Sequence, residues 1–252
     1  MPIRWRCGSM ISAEAAARKG AMTRLRQGAD LLGFQLSSET DSRIAEYFRE
    51  LKKWNRRFNL IARTSSDEEI VEKHFLDSLA LVDFIDCHAD REIFLLDVGS
   101  GAGFPGLVAA CARPQWRLKL VEPRRKRVAF LRHVSRILKL DNVEISAGRI
   151  EDEKKRAAKY PSLPCYICGR AVAEPALFLE MIHHLLVAAV RVVLMTTTSG
   201  AETGGMFPQD RFRLLDQRCF TLPFSGAKRC LSLITIRETA ATRQASTTRR
   251  NE

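Results

Sequence analysis

The stretch Leu95-Leu96-Asp97-Val98-Gly99-Ser100-Gly101-Ala102-Gly103-Phe104-Pro105-Gly106 constrains this chain more than any other. An apolar run meets a cluster of glycines, and Leu107-Val108-Ala109-Ala110-Cys111-Ala112 follows as a helix-forming segment. That order predicts a buried strand, a tight turn and a helix that opens on the turn. Glycines there allow positive φ and let the backbone approach a ligand with no Cβ in the way. The free N–H groups at a helix start favour a polar or anionic ligand group.

Two ligand frames fit the turn. Gly101-x-Gly103-x-x-Gly106 satisfies the dinucleotide pattern G-x-G-x-x-G. Asp97-x-Gly99-x-Gly101-x-Gly103 is similar to motif I of class I S-adenosylmethionine (SAM) methyltransferases. In the dinucleotide frame Asp97 falls inside the buried strand, where an unpaired carboxylate is costly. The second frame places Asp97 at the strand mouth and keeps three glycines in the turn, so it is preferred.

The 252 residues allow one α/β domain and a smaller module, and 46% hydrophobic residues supply a core. A net charge of +12 favours a polyanionic partner, whether RNA, DNA or a membrane surface. No apolar run reaches the roughly 18 residues of a membrane span, and arginines interrupt the N-terminus where a secretory signal would be apolar. Seven scattered cysteines suit a reducing, cytoplasmic setting. Cys165-x-x-Cys168 is the close pair. It falls in a predicted strand, where residues three apart face opposite ways, so no metal site is expected.

Residues 1–28, rich in Ala, Arg and Gly without clear period, are expected to be a loosely ordered extension. Residues 29–90 read as a helical region. Ser37 and its neighbours offer an N-cap, and Ile44, Phe48, Leu51 and Trp54 follow at helical spacing. Lys52 and Lys53 lie on that helix's basic side with Arg49, Arg56 and Arg57, a face either solvated or turned to phosphate. Phe58-Asn59-Leu60-Ile61 breaks the helix, and the Ser65-Ser66 pair caps the next one. His74, Asp77 and Ser78 sit within about one turn of each other. Such neighbours on one helix do not converge as a catalytic triad, so they are read as a hydrogen-bond cluster or a pocket wall.

Residues 91–238 read as the α/β domain and 239–252 as a disordered polar tail. The second strand ends in Glu122, a carboxylate suited to two ribose hydroxyls. Arg124-Arg125-Lys126-Arg127 then opens a helix. Positive charge there opposes the helix dipole, which points to an RNA-backbone contact. Ile150 and Glu151 follow the third strand, and an apolar and an acidic neighbour can receive an adenine. The fourth strand, 165–168, leads to Gly169-Arg170-Ala171-Val172-Ala173 on the ligand edge. A helix from 175 to 186, a strand at 190–195 and antiparallel strands near 212–215 and 230–236 complete the domain.

Together these pieces resemble the RsmG (GidB) family of bacterial small-subunit ribosomal RNA guanine-N7 methyltransferases. The resemblance rests on Trp54-Asn55 with Phe58-Asn59-Leu60, His74-x-x-Asp77-Ser78-Leu79, the Asp97–Gly106 turn, Lys126-Arg127-Val128-x-Phe130-Leu131, Asp141-Asn142-Val143-Glu144 and Arg170-Ala171-Val172-Ala173. They stand in family order over about residues 30–237. The resemblance implies a class I, Rossmann-like SAM-dependent methyltransferase with a mixed sheet, helices on both faces and a small helical region before it. SAM would be contacted by Asp97, Gly99, Gly101, Gly103, Phe104, Glu122, Ile150, Glu151 and Arg170. Glu122 stands where the family usually has Asp, Gly169 where it has Ser, and Met195-Thr196-Thr197 where Leu-Lys-Gly commonly ends the fifth strand.

The implied substrate is 16S rRNA or the small subunit, methylated at N7 of guanine 527 in the usual rRNA numbering, with no obligate protein partner, metal or membrane. N7 carries an in-plane lone pair and no proton, so no general base is required. Arg170 would then orient the SAM carboxylate or a phosphate. A nicotinamide-dependent oxidoreductase on the same turn and a non-enzymatic RNA-binding module remain alternatives.

Overall fold

The computed structural model describes residues 8–89, 92–153, 163–197 and 207–237, with side chains from residue 16 onward. Seven strands form one sheet: β1 (Phe94–Val98), β2 (Arg117–Glu122), β3 (Val143–Ala147), β4 (Cys165–Gly169), β5 (Val190–Thr196), β6 (Phe212–Thr221) and β7 (Lys228–Ile236). Their order is β3-β2-β1-β4-β5-β7-β6. The first five pair in parallel, and β7 runs antiparallel to both β5 and β6. All five residues of β1 are buried, as a central parallel strand covered on both faces requires.

Side-chain alternation divides the core into two layers. Leu95, Leu118, Leu120, Tyr166 and Val193 face a large cluster built with α1 (Gly8–Leu31), α2 (Ser38–Asn55), α4 (Asp77–Asp86), α5 (Gly106–Ala112) and α6 (Arg125–Ile137). Phe94, Leu96, Val98, Ile167 and Val192 face the other way, under Phe178, Leu179 and Ile182 of α7 (Pro175–Ile182). This is the expected mixed sheet with helices on both faces.

The helical region is tied down by its own side chains. Ser37 caps α2 through the Thr40 amide at 3.1 Å. At the far end Asn55 Oδ1 accepts from the amides of Leu60 and Ile61 at 2.7 and 3.0 Å, which turns the chain out of the helix. Ser66 and Glu69 form a capping box on α3 (Asp67–Ile70). A π-helical stretch (Val71–Leu76) then leads into α4. Its buried Glu72 accepts from the Phe224 and Ser225 amides, both at 2.8 Å, and so fastens the β6–β7 turn to the helices.

Three sequence expectations are corrected. Residues 8–28 belong to the continuous helix α1, not to a loose extension. Ala21, Met22, Leu25 and Ala29 are buried along it, and with alanine at two of these four positions the stripe leaves little hydrophobic period to see. A Cβ on Gly28 would stand 2.2 Å from Leu76 Cδ1, so its smallness lets α1 approach the π stretch. The last two strands are longer than expected and form a hairpin. Its register puts Cys219 opposite Cys230, and the two are disulfide-bonded, against the expectation of a reducing setting. Residues 1–7, most of the 196–200 loop and the 239–252 tail lie outside the described residues.

Candidate active site

The sheet order reverses between β1 and β4, which is where ligands lodge in an open α/β sheet. A cavity of about 1180 Å³ opens there. Its walls come from the carboxyl ends of β1, β2, β4 and β5, from the antiparallel start of β7, and from the π stretch. Gly99, Gly101, Phe104, Glu122 and Arg170 line it, as do Arg124 and Arg127.

The glycines of the turn do different jobs. Gly99, Gly101 and Gly103 have φ of +66°, +59° and +96°, values that L side chains rarely adopt. A Cβ on Gly99 would meet Val172 Cγ2 at 2.8 Å, and one on Gly103 would meet Leu107 and Tyr47 at 2.6 Å. A Cβ on Gly101 would find nothing nearer than Arg127 Nη1 at 3.7 Å. Gly99 and Gly103 are therefore small for packing, and Gly101 presents bare backbone to the cavity.

Two carboxylates brace this turn. Glu122, buried, accepts from the Gly101 amide at 2.9 Å and from the Arg124 amide at 2.9 Å. Each oxygen keeps a second lone pair, so the group can both hold the loop and face ligand hydroxyls. Asp97 departs from expectation. It is fully buried within β1, not exposed at a strand mouth, and its Oδ2 accepts from the Gly106 amide at 3.0 Å. Burial pushes its pKa up to about 7, against the pull of the Ser100 and Gly106 hydrogen bonds. Asp97 thus stands behind the turn, and Gly106 packs against it, since a Cβ there would meet Asp97 Oδ2 at 2.6 Å. Ile150 and Glu151 also lie outside the cavity lining: Ile150 is buried beneath the sheet's second layer, and Glu151 is exposed.

A second wall was only partly visible in the sequence. Arg170 Nη1 donates to the Lys73 carbonyl at 2.6 Å and lies 3.4 Å from Asp77 Oδ2, while Arg229 Nε donates to Asp77 Oδ1 at 3.2 Å. Arg170 Nη2 lies 2.7 Å from His74 Nδ1. Phe104 stacks on His74 with ring centres 4.9 Å apart, and on Tyr47 at 5.3 Å. The Tyr47 hydroxyl donates to the Ala102 carbonyl. Burial, then Arg170 and Lys73, hold the His74 pKa down at about 3. Ser78 is buried and its Oγ donates back to the His74 carbonyl, so His74 and Asp77 line the pocket and the trio is not a triad. Ala171 sits at φ +54°, a strained position for alanine that turns the chain between Arg170 and Val172. Tyr47 and Arg229 were missed. Tyr47 could have been found from its place between Ile44 and Phe48 on the buried helix stripe; Arg229 carries no local signal.

The basic candidates separate into two places. Arg124, Arg125 and Lys126 are exposed at the start of α6, with Lys126 5.7 Å over the Phe58 ring. Arg127 is half-buried, 3.8 Å from Glu122. Lys52 is ion-paired with Asp67 and lines a smaller cavity of about 380 Å³, and Lys53 is exposed near the buried Glu50.

Comparison with known proteins agrees with this architecture. A crystal structure of a mutant MtNAS in complex with S-adenosylmethionine aligns with TM-score 0.51 at 14% identity over 92% of each chain, a likeness of fold. A protein of Desulfotalea psychrophila named ribosomal RNA small subunit methyltransferase G is 40% identical over 214 residues, covering 83% of this chain and 96% of the relative. One of the same name from Burkholderia pseudomallei is 33% identical over 216 residues, covering 86% and 91%. The profile of the GidB family, described as rRNA small subunit methyltransferase G, matches residues 40–204. This chain, with its glycine turn at the β1–β4 switch point, belongs to the rRNA small subunit methyltransferase G family.

Proposed function

We propose that the chain transfers a methyl group from SAM to N7 of a guanine in 16S rRNA, guanine 527 by the family resemblance. The observation that carries this reading is the open side of Gly101 at the switch-point cavity. The cavity fits the cofactor. Its volume accommodates a nucleoside-sized group and a base, Glu122 keeps acceptor capacity for ribose hydroxyls, and any Cβ at Gly101 would fill ligand space. Gly99 and Gly101 would hold the cofactor from below, with Phe104 and Val172 beside them.

The cofactor supplies a methyl group on a sulfonium, and its transfer to an N7 lone pair moves the positive charge onto the purine and releases no proton. The protein therefore needs alignment and exclusion of water more than proton transfer. Proximity and orientation of this kind are worth roughly 7–11 kcal/mol in favourable systems. His74 is not poised as a base: its Nδ1 is taken by Arg170 and its pKa lies far below neutrality. Arg170 is itself held by Lys73, Asp77 and His74, so it stiffens the wall and leaves its charge there to orient an anionic group. The exposed Arg124 and Arg125 beside the mouth would receive RNA phosphates.

The test is binding followed by transfer. The protein should bind SAM or S-adenosylhomocysteine and pass a labelled methyl group to small-subunit RNA from a strain lacking this modification. Binding of NADH in place of SAM would support the oxidoreductase reading. RNA binding without SAM binding would support a non-enzymatic module.

A further inference from the structure

His74 has a fixed tautomer. A guanidinium carries donors only, so the 2.7 Å contact from Arg170 Nη2 makes His74 Nδ1 the acceptor. The ring is then neutral and its hydrogen sits on Nε2. That Nε2 has no partner among the described residues, and it is not one of the buried atoms lacking one. It opens on the cavity that His74 lines. The ring is held in plane by its stack on Phe104, and its backbone carbonyl by Ser78 at 2.6 Å. The wall thus presents one oriented N–H donor.

A guanine brought to this cavity by its N7 presents O6 immediately beside N7, and both are acceptors. Adenine presents a 6-amino donor at the same place. We propose that His74 Nε2–H donates to O6 of the target guanine and selects it over a 6-aminopurine; this rests on the guanine-N7 reading above. Neutrality of the ring serves the same end. N7 methylation leaves positive charge on the purine, and an imidazolium at O6 would repel it. Arg170 keeps the imidazole unprotonated by occupying Nδ1, while Asp77 and Arg229 hold Arg170 in its place. His74 is on this view a specificity residue that touches substrate, and Arg170 is the positioning residue behind it.

The test pairs two substitutions with one substrate atom. Asn places its Oδ1 near the position of the imidazole Nδ1, so His74→Asn keeps an acceptor for Arg170 and removes the Nε2 donor. Gln places its amide nitrogen near Nε2, so His74→Gln keeps a donor and loses the acceptor. Small-subunit RNA is ligated to carry either guanosine or 2-aminopurine riboside at the target position. The latter keeps N7 and lacks O6. Single-turnover methyl transfer is measured for both RNAs, alongside SAM affinity of each variant. The wild-type protein should prefer guanosine by about 10–100-fold, the range expected for one hydrogen bond whose loss strands a polar partner. In His74→Asn that preference should collapse to within about threefold, and in His74→Gln most of it should survive.

Preference retained in full by His74→Asn overturns the proposal. So does a wild-type protein that methylates both RNAs at the same rate, a result that does not depend on either variant folding. Label found in the RNA at an atom other than guanine N7 would instead remove the reading on which the proposal rests, and nucleoside analysis of the same samples shows which has failed.

Discussion

Replacing two glycines of one motif with the same residue should give opposite phenotypes. In Gly101→Ala the new methyl points into the cavity, with no protein atom closer than 3.7 Å. Its cost to folding is then the left-handed backbone at φ +59°, about 1–2 kcal/mol for an L residue. For a domain of this size that lowers Tm by roughly 2–8 °C. Its cost to SAM is larger, because the methyl stands where bare backbone meets the ligand; we expect at least a tenfold loss of affinity, about 1.4 kcal/mol. In Gly103→Ala the methyl would stand 2.6 Å from both Leu107 Cδ1 and the Tyr47 hydroxyl, at φ +96°. Overpacking of about 1–3 kcal/mol adds to backbone strain of similar size. That variant should lose most of its stability and, where still folded at low temperature, bind SAM within about threefold of wild type. Equilibrium binding of SAM and thermal unfolding measure both quantities on each protein. Unchanged SAM affinity in a folded Gly101→Ala protein would refute the reasoning, because it would place the ligand away from the turn.

Glu122→Ala should lower both SAM affinity and Tm, since the carboxylate holds the Gly101 and Arg124 amides at 2.9 Å as well as facing the cavity; binding and calorimetry on one sample separate the two, and an effect on neither would contradict the bracing role. Asp97 should make the protein less stable as pH rises. Its pKa of about 7 when folded exceeds the ordinary 3.8, so between about pH 4 and 7 the unfolded chain releases a proton that the folded one keeps, at a cost on the order of 4 kcal/mol once pH passes 7. Asp97→Asn should flatten that part of the pH–stability curve, and equal slopes in both proteins would count against it. Neutralising Arg124 and Arg125 together should weaken RNA binding and reduce the slope of log affinity against log salt by roughly 1.4 for single-stranded contacts, leaving SAM affinity near normal. Lys52→Ala/Lys53→Ala is the comparison, with a smaller expected change because Lys52 is already paired with Asp67; the reverse ranking would move the RNA onto α2.

What could be read from the residues was what local chemistry determines. The apolar run of β1, the glycine turn and the acidic tip of β2 each carry their signal within a few residues, and the structure brings Gly99, Gly101, Phe104 and Glu122 to one cavity. The wall opposite them could be read only in part: His74, Asp77 and Arg170 stood out, but not their meeting with Tyr47 and Arg229. It joins Tyr47, His74, Asp77, Arg170 and Arg229 across almost the whole described chain, and only the fold makes them neighbours. Asp97 shows a different limit. A carboxylate next to a turn suggested exposure, but a backbone amide nine residues on satisfies it in the interior. Helix α1 was hidden because alanines and a glycine, chosen by close packing, weaken the hydrophobic period. The Cys219–Cys230 bond depended on hairpin register, which the spacing of two cysteines does not reveal.

The most direct measurement is the identity of the nucleoside that receives the methyl group. Small subunits from a strain lacking the modification are incubated with this protein and SAM carrying a deuterated methyl, and the RNA is digested and resolved by mass spectrometry. The account predicts one labelled nucleoside, 7-methylguanosine, arising from a single position of 16S rRNA and absent when Gly101→Ala replaces the wild-type protein. Label in any other nucleoside, or none in a protein that binds both SAM and the RNA, would contradict it.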